Sequence, residues 1–132
     1  MSVGTEFTQS VRAFFETYTR EFDSADGARI ADLYHAPSIT LRGDGSIHAF
    51  QTHEEIRNFF QNVADTYRSE GYRSGRFDNF TAIPIGSRSA LATLDWDILR
   101  EDGSPIRRWR QSYNLVRVGE QWKIMTAMVH QS

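Results

Sequence analysis

Residues 91–113 read LATLDWDILREDGSPIRRWRQSY. Two runs of alternating polar and apolar residues flank Asp102-Gly103, a pair suited to a tight hairpin turn because glycine accepts positive φ. A two-residue turn there sets Asp95 opposite Arg110, Asp97 opposite Arg108 and Thr93 opposite Ser112 on one side. On the other side Trp96 faces Trp109, and Ala92 faces Tyr113. Such charged and aromatic cross-strand pairs each contribute about 0.2–1 kcal/mol. A four-residue loop would instead oppose Arg100 with Arg107, two like charges. The hairpin therefore carries a polar ladder on one face and an aromatic ladder on the other. Two placements follow: the polar ladder lines a cavity, or it lies outside one.

Working outward, 76–85, 88–100, 105–118 and 121–130 each read as long strands. Short turns at Gly86-Ser87, Asp102-Gly103 and Gly119-Glu120 make them antiparallel neighbours. Before Tyr72 the period is helical. Phe7, Val11, Phe14, Phe15, Tyr18 and Phe22 form one apolar stripe over residues 5–23. A short second helix follows, with Ile30, Ala31, Leu33 and Tyr34 inward, and Pro37 is expected to end it. Ser38 to Arg42 and Ser46 to Phe50 read as a small hairpin around Gly43-Asp44-Gly45. Thr52-His53-Glu54-Glu55 is a capping box. It opens a third helix over 53–69, with Ile56, Phe59, Phe60, Val63 and Tyr67 on one face. The fold class is α+β: three N-terminal helices packed on one face of a strongly curved, mainly antiparallel sheet. One domain spanning 1–132 is expected, with no linker and no repeat.

Composition narrows the function classes. The chain has no cysteine, which removes disulfide scaffolds, thiol nucleophiles and Cys-ligated zinc. The four histidines, His35, His48, His53 and His130, lack metal-site spacing, and no Gly-rich phosphate loop follows a strand. No metal and no cofactor are therefore expected. The net charge of −2 opposes a nucleic-acid footprint, despite the Arg107-Arg108-Trp109-Arg110 run. No apolar run is long enough to cross a bilayer, and Met1 to Glu6 lack a signal-peptide pattern. A cytoplasmic protein without nucleic-acid or membrane partners is expected. Aromatic residues make up 13% of the chain, enough both for a core and for a lined cavity.

This element order, with Gln121-Trp122-Lys123-Ile124 opening the last strand, resembles the nuclear-transport-factor-2-like superfamily. The motifs that carry the resemblance are Phe14-Phe15-Glu16-Thr17-Tyr18, Ala31-Asp32-Leu33-Tyr34 and Ile56-Arg57-Asn58-Phe59-Phe60. The likeness covers about residues 5–131; the superfamily includes the ketosteroid isomerases, scytalone dehydratases and SnoaL-like polyketide cyclases. It implies a cone-like fold, a pocket for small apolar molecules between helices and concave sheet, and a homodimer. By the same resemblance Tyr18 looks like the oxyanion donor of ketosteroid isomerase, and Tyr34 looks like a second network tyrosine. The third network position falls on Phe60. The general-base position falls on Arg42, which cannot abstract a proton. The protonated-aspartate position falls on Asn114, which can still donate, so the resemblance leaves a two-donor oxyanion hole of Tyr18 and Asn114.

Two readings follow. In the first, the chain is a cofactor-independent isomerase, dehydratase or cyclase acting on an apolar carbonyl or aromatic compound. Tyr18 and Asn114 polarise an oxygen, and Asp95 or His130 moves the proton. Tyr34, Phe59 and Trp96 shape the pocket, while Arg110 attracts a ligand carboxylate. In the second, Asp95 and Asp97 are spent on ion pairs with Arg110 and Arg108, and Tyr18 is a core tyrosine. The chain is then a non-catalytic ligand-binding or homodimerisation module. An exposed apolar sheet face would mark the homodimer surface.

Overall fold

The computed structural model describes residues 3–131, so the expected domain limits at 1 and 132 lie outside the described residues. Helix α1 (Val3–Asp23) carries the predicted stripe, and Val11, Phe15 and Tyr18 on it are buried. Phe15 is the centre of the core. Its ring meets those of Tyr113 (centroids 4.9 Å apart), Trp96 (6.3 Å) and Phe77 (6.4 Å). Helix α2 (Gly27–Ala31) starts at Asp26, whose carboxylate accepts from the Ala28 N–H at 2.9 Å. Helix α3 (His53–Ser69) opens with the predicted cap, the Glu55 N–H donating to Thr52 Oγ1 at 3.2 Å. Helices α2 and α3 meet at Gly27. A Cβ there would lie 2.5 Å from the Arg57 carbonyl, so only glycine allows this approach.

The strands are β1 (Tyr34–Leu41), β2 (Ile47–Phe50), β3 (Tyr72–Ile85), β4 (Ser89–Arg100), β5 (Pro105–Val118) and β6 (Gln121–Val129). They form one sheet in the order β2-β1-β6-β5-β4-β3, antiparallel except for β1 against β6. Bulges interrupt β3 after Tyr72 and again between Asp78 and Thr81. At the second bulge Asn79 adopts φ 51°, a conformation asparagine tolerates better than most residues. The helices cover one face, giving the α+β cone expected.

Three local expectations need correction. The second helix ends at Ala31, not at Pro37, and Tyr34 opens β1. The Leu33 N–H closes the helix on Ile30 O (3.0 Å), and the Leu33 carbonyl already accepts from the Ile124 N–H of β6 (2.9 Å). The chain is thus handed to the sheet before Tyr34. Pro37 lies inside β1, in the irregular stretch between Tyr34 and Ile39 where its missing N–H breaks no ladder bond. Finally, the β4–β5 turn has three residues, not two. The Arg100 N–H donates to Ser104 O, Gly103 takes φ 86°, and Asp102 accepts from the Ser104 N–H. Ile106 is the extra residue that restores the register. Beyond it Asp97 faces Arg108, Trp96 faces Trp109, Asp95 faces Arg110, Thr93 faces Ser112 and Ala92 faces Tyr113, as read from the sequence.

Candidate functional site

The aromatic ladder faces the helices. Ala92, Leu94, Trp96 and Ile98 of β4 are buried under them, as is Tyr113 of β5. Between the ladder and the helices lies a cavity of about 90 Å³. Helix α1 contributes Tyr18 and Phe22, β1 contributes Tyr34 and Thr40, and α3 contributes Phe59, Phe60, Val63 and Tyr67. The sheet closes it with Trp96, Trp109, Gln111 and Tyr113. None of the lining residues is an aspartate, glutamate or histidine.

Polar atoms in this cavity are few and mostly connected. The hydroxyls of Tyr18 and Tyr34 are 2.9 Å apart and hydrogen-bonded. The Tyr113 hydroxyl accepts from Trp96 Nε1–H at 2.7 Å, and its ring lies 6.2 Å from that of Tyr18. Burial pushes all three phenols well above the ordinary tyrosine range, so each stays protonated at neutral pH. The Tyr18 and Tyr34 hydroxyls carry two protons and share one bond. One proton of that pair is therefore left to donate elsewhere. Trp109 Nε1–H donates to Gln111 Oε1 at 2.8 Å. Thr40 is the exception: its buried Oγ1 has no hydrogen-bond partner.

The cavity opens toward the β1–β2 hairpin. Arg42, Phe59, Tyr67, Trp109 and Val129 border both the cavity and a wider cleft outside it. The Arg42 guanidinium lies 5.1 Å from the centre of the Phe59 ring, and that of Arg107 lies 5.5 Å from Tyr67. Arg107 also pairs with Glu70 at the end of α3, at 3.0 Å.

A family model described as an NTF2-like protein (DUF6841) matches residues 6–132. The chain belongs to this NTF2-like family. No curated protein gives a significant sequence match. Solved structures share the fold at low identity. Aln2 from a Streptomyces species superposes with a TM-score of 0.79 at 16% identity, over 96% of this chain and 91% of that one. An NTF2-like protein with a cystatin-like fold from Novosphingobium aromaticivorans gives 0.75 at 14% identity, over 92% and 79%. A protein of unknown function with a cystatin-like fold from Nostoc punctiforme gives 0.77 at 13% identity, over 98% and 93%.

Within this NTF2-like cone the structure divides the candidate residues into two groups. Tyr18, Tyr34, Phe59 and Trp96 line the cavity together. Asp95, Arg110, Asn114 and His130 do not. All four lie on the outer face of the sheet, because strand alternation sets them opposite to Trp96 and Tyr113. Asp95 accepts there from Asn79 Nδ2 (2.6 Å) and pairs with Arg110 (3.0 Å) and Arg108 (3.4 Å). Asp97, on the same face, pairs with Arg76 at 3.0 Å and Arg108 at 3.5 Å. Asn114 donates to Ser89 Oγ and the Ala90 carbonyl, so it makes no oxyanion hole with Tyr18. His130 Nε2 is 2.8 Å from Ser112 Oγ, which bonds Thr93 Oγ1 at 2.8 Å. The arginine run is split as well: Arg108 and Arg110 point outward, whereas Arg107 joins Tyr67 at the mouth.

The cavity also holds residues that sequence reasoning passes over: Tyr113, Gln111, Trp109 and Thr40. For the β5 residues the signal is present. Alternation from the Trp96–Trp109 pair sets Gln111 and Tyr113 on the same face. Arg42, a lost base by the resemblance, is a residue of the mouth.

Proposed function

We propose that the protein binds a small, mostly apolar molecule that presents a hydrogen-bond-accepting oxygen to the Tyr18–Tyr34 hydroxyl pair, and that it does so without proton-transfer catalysis. One observation carries this reading: the inner lining of the cavity offers a spare phenolic proton but no carboxylate or imidazole to serve as a base, Asp44 and His48 lying in the outer cleft on Ser46. A phenol held above its ordinary pKa is a donor at neutral pH and a poor base. The apolar walls supply the driving force, and the tyrosines fix the ligand's orientation. Carbonyl compounds and phenols fit this description; pure hydrocarbons do not.

The test is a thermal-shift screen of small ketones, phenols and matched hydrocarbons. A ligand that binds only the folded state stabilises it by about 2.7 kcal/mol at 100 times its dissociation constant. Oxygen-bearing compounds are expected to raise Tm and hydrocarbons of equal size to do so less. Tyr18→Phe should erase the difference. Equal shifts for both series would sink the reading, as would turnover of a bound ketone.

A second proposal concerns assembly. Ile39, Ile47, Ile83, Ile85 and Met128 are exposed, and the register places all five on the outer sheet face. Apolar residues exposed on both flanks of this face, β2-β1-β6 on one side and β3 on the other, favour association. We propose a homodimer through this face, in a soluble cytoplasmic protein. Among the described residues no helix is long and apolar enough to cross a membrane. Light scattering should give twice the chain mass, and Met128→Glu should halve it.

A further inference from the structure

We propose that the mouth of the cavity is a carboxylate subsite with Arg42 as its cation, so that the ligand is a small apolar monocarboxylate. This rests on the reading of the cavity as a ligand site and names the class of compound that fills it.

The first support is size. The cavity is about 90 Å³, smaller than the roughly 150 Å³ apolar cavity that takes benzene. A ligand that reaches the Tyr18–Tyr34 pair must therefore extend into the mouth, past Arg42.

The second is charge. Two arginines border the mouth, and they differ. Arg107 donates to both oxygens of Glu70, at 3.0 and 3.2 Å. Arg42 has no ion pair among the described residues; its guanidinium is held against the Phe59 ring instead. Asp44 also borders the cleft and its charge acts on Arg42, but neither of its oxygens bonds the guanidinium, and Oδ1 is taken by the N–H and the hydroxyl of Ser46, at 2.9 and 2.6 Å. His48 bonds the same Ser46 hydroxyl at 3.0 Å. Arg42 thus keeps a donor fork available for a carboxylate.

The third is an unpaired hydroxyl in the wall. Thr40 is 6% exposed, lines the cavity, and its Oγ1 has no partner. It stands two residues before Arg42 on the same side of the chain, about 7 Å along a strand. That is within the reach of an arginine side chain. A carboxylate at the mouth could accept from Arg42 and Thr40 together, which would satisfy a buried hydroxyl that the protein itself does not pair.

The probes are 4-hydroxyphenylacetate and its amide, 4-hydroxyphenylacetamide, which differ in charge at one end only. Calorimetric titration of the wild-type protein is expected to show the acid binding about tenfold more tightly than the amide, a difference of one charge-assisted contact. Arg42→Gln should remove that preference by weakening the acid far more than the amide, while Arg42→Lys should keep part of it. Thr40→Val should weaken the acid without lowering Tm, an outcome that a purely structural threonine would not give. Circular dichroism checks that each variant is folded. Equal affinity for acid and amide in the wild type overturns the subsite and leaves the ligand cavity standing. A preference that survives Arg42→Gln overturns it too. Failure of both compounds to bind overturns the subsite together with the reading of the cavity as a ligand site.

Discussion

Trp96 Nε1–H donates to the Tyr113 hydroxyl at 2.7 Å, across two adjacent strands and beneath the ring of Phe15. Both partners are buried, at 5% and 1% exposure. This bond ties the polar atoms of the cavity to the apolar core, because Tyr113 in turn meets Tyr18. Tyr113→Phe keeps the ring and removes the acceptor, leaving an indole N–H without a partner. An unsatisfied buried donor costs about 1–3 kcal/mol. Urea unfolding should show a loss of that size, with a shift of the Trp96 indole N–H resonance. A loss below about 0.5 kcal/mol would mean that the N–H finds another acceptor.

Thr40 predicts the opposite sign. Its Oγ1 is buried without a partner, so the folded state carries an uncompensated desolvation cost. Thr40→Val replaces the hydroxyl by a methyl group of similar volume and removes that cost. The ligand-free protein should gain about 1 kcal/mol in stability. The same change at a hydrogen-bonded threonine, Thr93, should destabilise, since its Oγ1 bonds Ser112 at 2.8 Å. Measured side by side in urea, the two variants should differ in sign.

Gly27 sets the distance between α2 and α3. Its N–H donates to Gln61 Oε1 at 2.8 Å, and a Cβ would come within 2.5 Å of a backbone oxygen and 2.9 Å of the Gln61 side chain. Backbone cannot move aside as a flexible side chain can. Gly27→Ala should therefore cost about 1–3 kcal/mol through forced separation of the helices. Thermal unfolding checks this. An unchanged Tm would show that α2 shifts freely.

Much of this architecture is legible because chemistry and geometry agree in the sequence. The register of β4 against β5 can be read from Asp95, Asp97, Arg108 and Arg110, since only one pairing satisfies both charge pairs. Helix α3 is marked by Thr52 and Glu55. The turn length is not legible, because a three-residue turn followed by a bulge at Ile106 gives the same distal register as a two-residue turn. Helix α2 reads too long because five residues are too few for a period to be measured, and Leu33 and Tyr34 suit either structure. The site is half legible. Tyr18, Tyr34, Phe59 and Trp96 converge in the cavity because long aromatic stripes must face the core. Asp95, Asn114, Arg110 and His130 lie outside because which face of a sheet meets the helices depends on how the whole sheet curves. Thr40 is invisible: a single threonine in a short strand carries no pattern.

Asp95 predicts a pH dependence of stability. Hydrogen bonds from Asn79 and Arg110 stabilise its charged form and hold the carboxyl below the ordinary aspartate range. In the unfolded chain its pKa is about 3.9. The unfolded state therefore binds the proton first as the medium is acidified, and stability falls. The contribution of Asp95 is complete above about pH 4. It disappears as pH drops through the lower, folded-state value. Asp95→Asn removes the titrating group while keeping its size. The stability difference between wild type and variant, read from urea unfolding, should be flat at neutral pH and shrink below about pH 4. The variant's own acid limb should be shallower. A difference that grew with acid would mean that the carboxyl is raised, not lowered, and that the outer ladder repels protons less than its arginines suggest.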